Sequence, residues 1–174
     1  MLAILKKPVS SWPDLVKGSP RPLVVLDGVQ DPGNLAAILR TSEASGASGI
    51  VTTPGTARLF SPKALRGAMG SSLRLPILEH QPLTDISKEL KQAGYQLVGT
   101  ASGDGMALPC QNYAQFDWTP PLAIILGHEG QGLAKAWSAH LNAAVHIPMA
   151  SPVDSLNVAS AAAVLLYESH RRRT

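Results

Sequence analysis

A chain of 174 residues with 45% hydrophobic content is the size of one ordinary domain and can bury a real core. One cysteine, Cys110, excludes an internal disulfide and a cysteine-rich zinc site, and the five histidines are scattered without metal-ligand spacing, so no metal is expected. The formal charge of +3 permits an acidic partner without demanding one, and no apolar run approaches the roughly 20 residues of a membrane span.

Residues 1–5 are too short for a signal-peptide core, and Lys6 and Lys7 follow them instead of leading. A soluble, cytoplasmic protein is the expectation. Residues 1–20, with Pro8, Pro13 and Pro20, read as a leader or linker, and the folded domain is expected over 21–174. Leu23-Val-Val-Leu-Asp27 is a short apolar run that reads as a buried strand. Asp31 then offers a helix cap and Pro32 a proline at the first helical position. Leu35, Ile38, Leu39 and Ser42 follow at helical spacing, which puts Asn34 in the first turn and Arg40 further along. A strand at 49–52 precedes a helix opened by Ser61 and Pro62 and running to about Met69.

The run 75–78 reads as a short strand, and 83–93 as an amphipathic helix stopped by Gly94. Strands are expected at 95–100 and 122–126, then a short helix at 133–140, a strand at 144–147 and a closing helix at 155–171. Arg171, Arg172 and Arg173 read as a solvated helix end. The connection 101–121 is long for a compact domain. Strands alternating with helices over the whole length predict an α/β fold, with a mainly parallel sheet flanked by helices.

Open α/β sheets bind ligands beyond the carboxyl ends of their strands. Three loops fall there, at 100–105, 127–132 and 148–155. Gly103-Asp-Gly105 lacks the third glycine of a dinucleotide fingerprint, and no glycine-lysine-serine phosphate loop occurs. Ordinary Rossmann and nucleotide-hydrolase readings therefore fail. Taken singly, each remaining candidate has an ordinary explanation. A glycine loop is commonly a plain turn, Arg40 a surface arginine, Glu129 an exposed acid, and Ser155 or Asn157 a helix cap. Their order along the chain, separated by strands, is what changes the odds.

Asp31-Pro-Gly-Asn-Leu-Ala-Ala-Ile-Leu-Arg40, Ile125-Leu-Gly-His-Glu-Gly-Gln-Gly-Leu133, and Ile147-Pro-Met149 through Ser155-Leu-Asn-Val158 resemble the three motifs of the SpoU (TrmH) family within the SPOUT superfamily. Its members are S-adenosyl-L-methionine-dependent RNA 2′-O-ribose methyltransferases, and the resemblance covers about residues 21–171. It implies a deep C-terminal trefoil knot, which general topology rules argue against and periodicity cannot reveal. It also implies a homodimer. By motif position, Leu126, Gly127, Gly130, Ile147, Met149, Ser155 and Leu156 surround the cofactor, with Thr100 and Ala101 as weaker candidates. Asn34, Arg40, Glu129, Ser155 and Asn157 line the reaction site.

Ser151, Asp154 and Ala159 depart from the family's usual residues, and Ser151 stands where glycine would tolerate more backbone conformations. Arg58, Lys63, Arg66 and Arg74 form a basic stretch that suits RNA phosphates, with a solvated helix face as an equal alternative. The segment Leu26-Asp-Gly-Val-Gln-Asp-Pro-Gly-Asn34 is more similar to the ribosomal RNA branch than to the transfer RNA branch. Transfer RNA stays open as a substrate, as does a noncatalytic RNA-binding or ribosome-assembly module that keeps the fold.

Overall fold

The computed structural model describes residues 4, 6–16, 21–101 and 108–173. Its strands are β1 (Leu23–Leu26), β2 (Gly49–Thr52), β3 (Ile77–Leu78), β4 (Gln96–Ala101), β5 (Cys110–Asn112), β6 (Leu122–Leu126) and β7 (Ala143–His146). They form one sheet in the order β3-β2-β1-β6-β4-β7-β5, and every pairing is parallel. Strands β1, β2 and β6 are buried at every position. That is why they read as unbroken apolar runs: helices cover both faces of a parallel sheet.

The pleat divides the core in two. Val24 and Leu26 face one layer with Leu35, Ile38, Leu39, Leu165 and Leu166, while Leu23 and Val25 face the other with Leu15, Ile86, Leu90 and Trp137. The first layer is built by α2 (Pro32–Ala44), α3 (Pro62–Ala68) and α6 (Val158–Arg171), the second largely by α5 (Leu83–Gln92). Asp31 caps α2, its carboxylate accepting from Asn34 N–H at 2.8 Å, with Pro32 in the first turn. A Cβ on Gly67 would lie 2.6 Å from that of Ala36, so α3 crosses α2 where only a bare backbone fits.

Several boundaries differ from expectation. The closing helix begins at Val158 and not at Ser155, because Asn157 takes the cap position and accepts from Ala159 N–H at 2.9 Å. The short helix expected at 133–140 is a 3₁₀ turn at Lys135–Ala139. Two elements have no periodic signal, the four-residue helix α4 (Ser71–Arg74) and the edge strand β5, whose sequence is Cys-Gln-Asn.

Where the sequence reads as a leader there is a five-residue helix, α1 (Trp12–Val16), with Leu15 buried. Ser10 Oγ accepts from Ile77 N–H at 3.1 Å, and Lys7 pairs with Glu79. This segment covers the β3 edge, which would otherwise expose unpaired backbone groups. The arginine end is also folded down. Arg171 and Arg172 bond to Glu168, and Arg173 donates to the carbonyls of Trp118 (3.0 Å) and Pro120 (2.7 Å). Arg171 and Arg172 are exposed, as a solvated helix end requires, and Arg173 alone departs from that expectation. No helix among the described residues is long and apolar enough to cross a membrane.

Candidate active site

Because β4, β6 and β7 are neighbours, their carboxyl ends open into one cavity of about 710 Å³. Its walls are Thr100 and Ala101 from β4, the loop 126–135 after β6, residues 145–149 and 153–156 from β7 onward, and Val158, Ala161 and Leu165 of α6. All nine residues expected around a cofactor lie on these walls: Thr100, Ala101, Leu126, Gly127, Gly130, Ile147, Met149, Ser155 and Leu156. The loop motif Gly103-Asp-Gly105 lies outside the described residues.

The glycine loop closes on itself. His128 and Gly132 exchange two backbone hydrogen bonds of 2.9 Å, with Gly132 at φ +69°. The Gly130 N–H donates to His128 Nδ1 at 3.0 Å. A Cβ on Gly127 would lie 2.3 Å from the Gly132 carbonyl carbon and 2.5 Å from Leu133 N, so no side chain fits there. Ser151 is not strained by the loop. The described non-glycine residues with positive φ are Met69 and His80 alone, and the backbone freedom of glycine is not needed at 151.

Three of the five expected reaction-site residues are joined directly. Asn157 Nδ2 donates to Asn34 Oδ1 at 2.9 Å, and Asn34 Nδ2 donates to Glu129 Oε1 at 2.9 Å. Glu129 also accepts from the backbone N–H groups of Asp31 (3.3 Å) and Gln30 (3.4 Å). Partial burial pushes the Glu129 pKa up, but the hydrogen bonds, led by that from Asn34, outweigh it and hold the carboxyl below its ordinary value. Glu129 and Ser155 both line the cavity.

Arg40 is elsewhere. It lies six residues beyond Asn34, about 1.7 turns at 3.6 residues per turn, so the two project from different faces of α2. It is exposed, does not line the cavity, and makes no side-chain hydrogen bond or ion pair among the described residues. Nor does Glu129 reach it, since that carboxylate is occupied by Asn34, Asp31 and Gln30.

The basic stretch is half neutralised. Lys63 stands 3.6 Å from the Asp31 carboxylate, and Arg74 grips Glu43 with two nitrogens. Arg58 and Arg66 remain exposed. The Arg74 hydrogen bond is the main cause that draws the Glu43 pKa down to about 2.

Sequence reasoning missed Lys135, Ser138 and His146 on the cavity wall, and Asp27 behind the loop. His146 ends β7 and Asp27 follows β1, so the rule that ligands gather at strand carboxyl ends could have flagged both.

A family model described as the SpoU rRNA Methylase family matches residues 21–167. Among curated relatives, a 23S rRNA (guanosine(2553)-2′-O)-methyltransferase, RlmP, of Bacillus subtilis is 35% identical over 159 residues, covering 91% of this chain and 62% of its own length. A 23S rRNA (guanosine-2′-O-)-methyltransferase, RlmB, of Pseudomonas putida is 37% identical over 155 residues, covering 89% and 60%. The crystal structure of the SpoU methyltransferase AviRb from Streptomyces viridochromogenes, in complex with the cofactor AdoMet, superposes with a TM-score of 0.84 at 30% identity, over 95% of this chain and 65% of that one. The chain thus spans about three-fifths of the length of these curated relatives. A match that starts two residues before β1 and ends four short of the α6 terminus takes in every loop of the cavity, and the chain belongs to the SpoU rRNA methylase family.

Proposed function

We propose that this chain is the catalytic domain, over 21–174, of an S-adenosylmethionine-dependent RNA 2′-O-ribose methyltransferase acting on ribosomal RNA. The observation that carries the reading is the hydrogen-bonded chain Glu129–Asn34–Asn157, which links the cavity loop to the first turn of α2 and the cap of α6. The two relatives named as 23S rRNA methyltransferases and the cofactor-bound AviRb structure support it.

The cavity fits the cofactor. Its volume lies within the roughly 300–1,000 Å³ usual for small-molecule sites, and apolar walls from Leu126, Ile147 and Leu156 alternate with polar Ser155 and Lys135. When bound, S-adenosylmethionine supplies an electrophilic methyl group on a sulfonium sulfur. Held between these walls, it would pass that methyl group to a ribose 2′-oxygen, with its sulfur leaving as the neutral thioether and the hydroxyl proton released to solvent. Positioning is most of the work in such a transfer.

Asn34 spends its amide on two neighbours, so it orients and does not take a proton. Glu129 fixes the glycine loop to the α2 start and is an acceptor for three N–H groups. Ser155 has no hydrogen-bond partner among the described residues and is free to meet the ribose or the cofactor. A guanidinium keeps its proton in proteins, so Arg40 is a positioning cation that meets the RNA backbone from outside the cavity.

The reading extends to a C-terminal knot and a homodimer in the cytoplasm. A knot is supported by the sheet order, with β7 seated between β4 and β5 while α6 returns to pack against α2. A dimer is supported by the exposure of Val153, Leu156 and Tyr167, three large apolar residues on or just before α6. The test is incubation of the chain with labelled S-adenosylmethionine and, in parallel, ribosomal and transfer RNA, followed by nucleoside analysis. A 2′-O-methylnucleoside is expected. Label only in transfer RNA would reassign the substrate, and no cofactor binding at all would overturn the enzyme reading.

A further inference from the structure

Asp27 has no role in the reaction described above, yet its carboxylate joins the cavity loop to the end of β2. It follows β1 and extends that strand's pairing by one bond, its N–H donating to Leu126 O at 2.8 Å. Its carboxylate then bridges two elements. Oδ1 accepts from Thr53 Oγ1 at 2.8 Å, and Oδ2 accepts from Ala134 N–H at 3.1 Å. Thr53 is buried, and its own N–H is fixed on Leu26 O at 3.0 Å, so it is a firm anchor at the end of β2. Ala134 is on the cavity wall between Leu133 and Lys135.

We propose that Asp27 is a positioning residue for cofactor binding, which clamps the exit of the glycine loop to the end of β2 and thereby sets one wall of the cavity. The inference rests on the methyltransferase reading. The entry half of the loop braces itself through the His128–Gly132 bonds and the close approach at Gly127. Its tip is held from outside by Glu129 on the 30–34 segment. Past Gly132 the Ala134 N–H is held by the Asp27 carboxylate, while its carbonyl accepts from Trp137 N–H at 3.0 Å. One short stretch of chain, 27–34, therefore grips the loop at two points.

The chemistry needs two acceptor oxygens, or one acceptor and a group that Thr53 can accept from. Asparagine satisfies the second form. Its carbonyl serves Ala134 N–H while its amide donates to Thr53 Oγ1, whose hydroxyl turns to Leu26 O, 3.4 Å away. Alanine satisfies neither.

The experiment is calorimetric titration of S-adenosylmethionine into wild type, D27A, D27N and T53V, with melting temperatures and steady-state kinetics at varied cofactor. A charged-group hydrogen bond is worth enough that D27A should weaken cofactor binding about tenfold or more. The KM for cofactor should rise by a similar factor while kcat at saturating cofactor changes little, and D27N should restore most of the loss. T53V, which removes one anchor only, should fall between. Wild-type affinity in D27A, or equal weakening in D27A and D27N, overturns the inference and leaves the enzyme reading standing. Absence of cofactor binding by the wild type overturns that reading and this inference with it. Should D27A fail to fold, T53V and hydrogen exchange in the wild type decide: an Ala134 amide without protection overturns the clamp.

Discussion

Asn157 Nδ2 donates a 2.9 Å hydrogen bond to Asn34 Oδ1, joining the cap of the last helix to the first turn of α2 across 123 positions of sequence. Each asparagine also serves its own helix, Asn157 by capping α6 and Asn34 by giving its backbone N–H to Asp31. Replacement of Asn34 by alanine cuts the chain to Glu129 without touching the apolar walls of the cavity. Turnover should fall about 100-fold, the scale of a misplacement of about 1 Å, while cofactor affinity changes far less. Single-turnover kinetics beside calorimetry reads both. Equal losses in affinity and rate would mean Asn34 builds the cavity.

Arg40 separates the reading of its role from its location. It stands outside the cavity, so Arg40→Ala should leave cofactor binding at the wild-type level and abolish methyl transfer to RNA. Arg40→Lys keeps the charge but loses the planar fork, and should recover little if the guanidinium grips a phosphate in two places. Turnover unchanged in R40A would remove Arg40 from the mechanism.

Gly127 tests the loop itself. A methyl group there would press within 2.3–2.5 Å of the backbone at Gly132 and Leu133, and backbone cannot swing aside as a side chain does. Gly127→Ala should therefore abolish cofactor binding and lower the melting temperature. For the melting temperature Gly130→Ala is the control, since, beyond its chain neighbours, the atoms nearest its Cβ are 3.9 Å away on His128. A G127A protein that binds cofactor normally would show that the loop opens more freely than these contacts allow.

Glu43 and Glu168 are the carboxylates pulled down furthest, and they should mark the acid edge of stability. Each has its pKa drawn from 4.5 to about 2, Glu43 by Arg74 first and Glu168 by Arg171 first, with Arg172 next. A depressed carboxylate stabilises the folded state fully above its unfolded pKa, and the contribution is lost as pH falls through the folded one. Melting temperature should thus be flat above about pH 5 and decline between about 4.5 and 2. The double variant E43Q/E168Q should show a shallower decline in the same window. A slope as steep as that of the wild type would place the acid-sensitive groups elsewhere.

The elements that could be read from the sequence were those whose signal is local. Leu23–Leu26 and Leu122–Leu126 announce themselves as apolar runs, and Asp31-Pro32 marks its helix by capping chemistry. The nine residues expected around a cofactor came from motif position, and all line one cavity. What stayed hidden depends on distant partners. Strand β5 has no apolar alternation and exists because β7 offers it an edge. The Arg173 side chain folds onto carbonyls 55 and 53 residues away, which no charge pattern reports. Arg40 looked like a neighbour of Asn34 because they share a motif, but helical geometry turns them apart.

The basic stretch from Arg58 to Arg74 divides by partner, and the division can be measured. Arg74 is committed to Glu43, and Lys63 leans on Asp31, whereas Arg58 and Arg66 are exposed. If this face meets RNA phosphates, R58A and R66A should each weaken RNA binding and lower the slope of log affinity against log salt by about 1. R74A should instead lower the melting temperature, by freeing Glu43 from the partner that holds its pKa near 2. Fluorescence anisotropy of a ribosomal RNA fragment over a salt series separates the two effects. A reduced salt slope in R74A alone would mean the ion pair opens to bind RNA. Unchanged slopes in R58A and R66A would move the RNA contact off this face altogether.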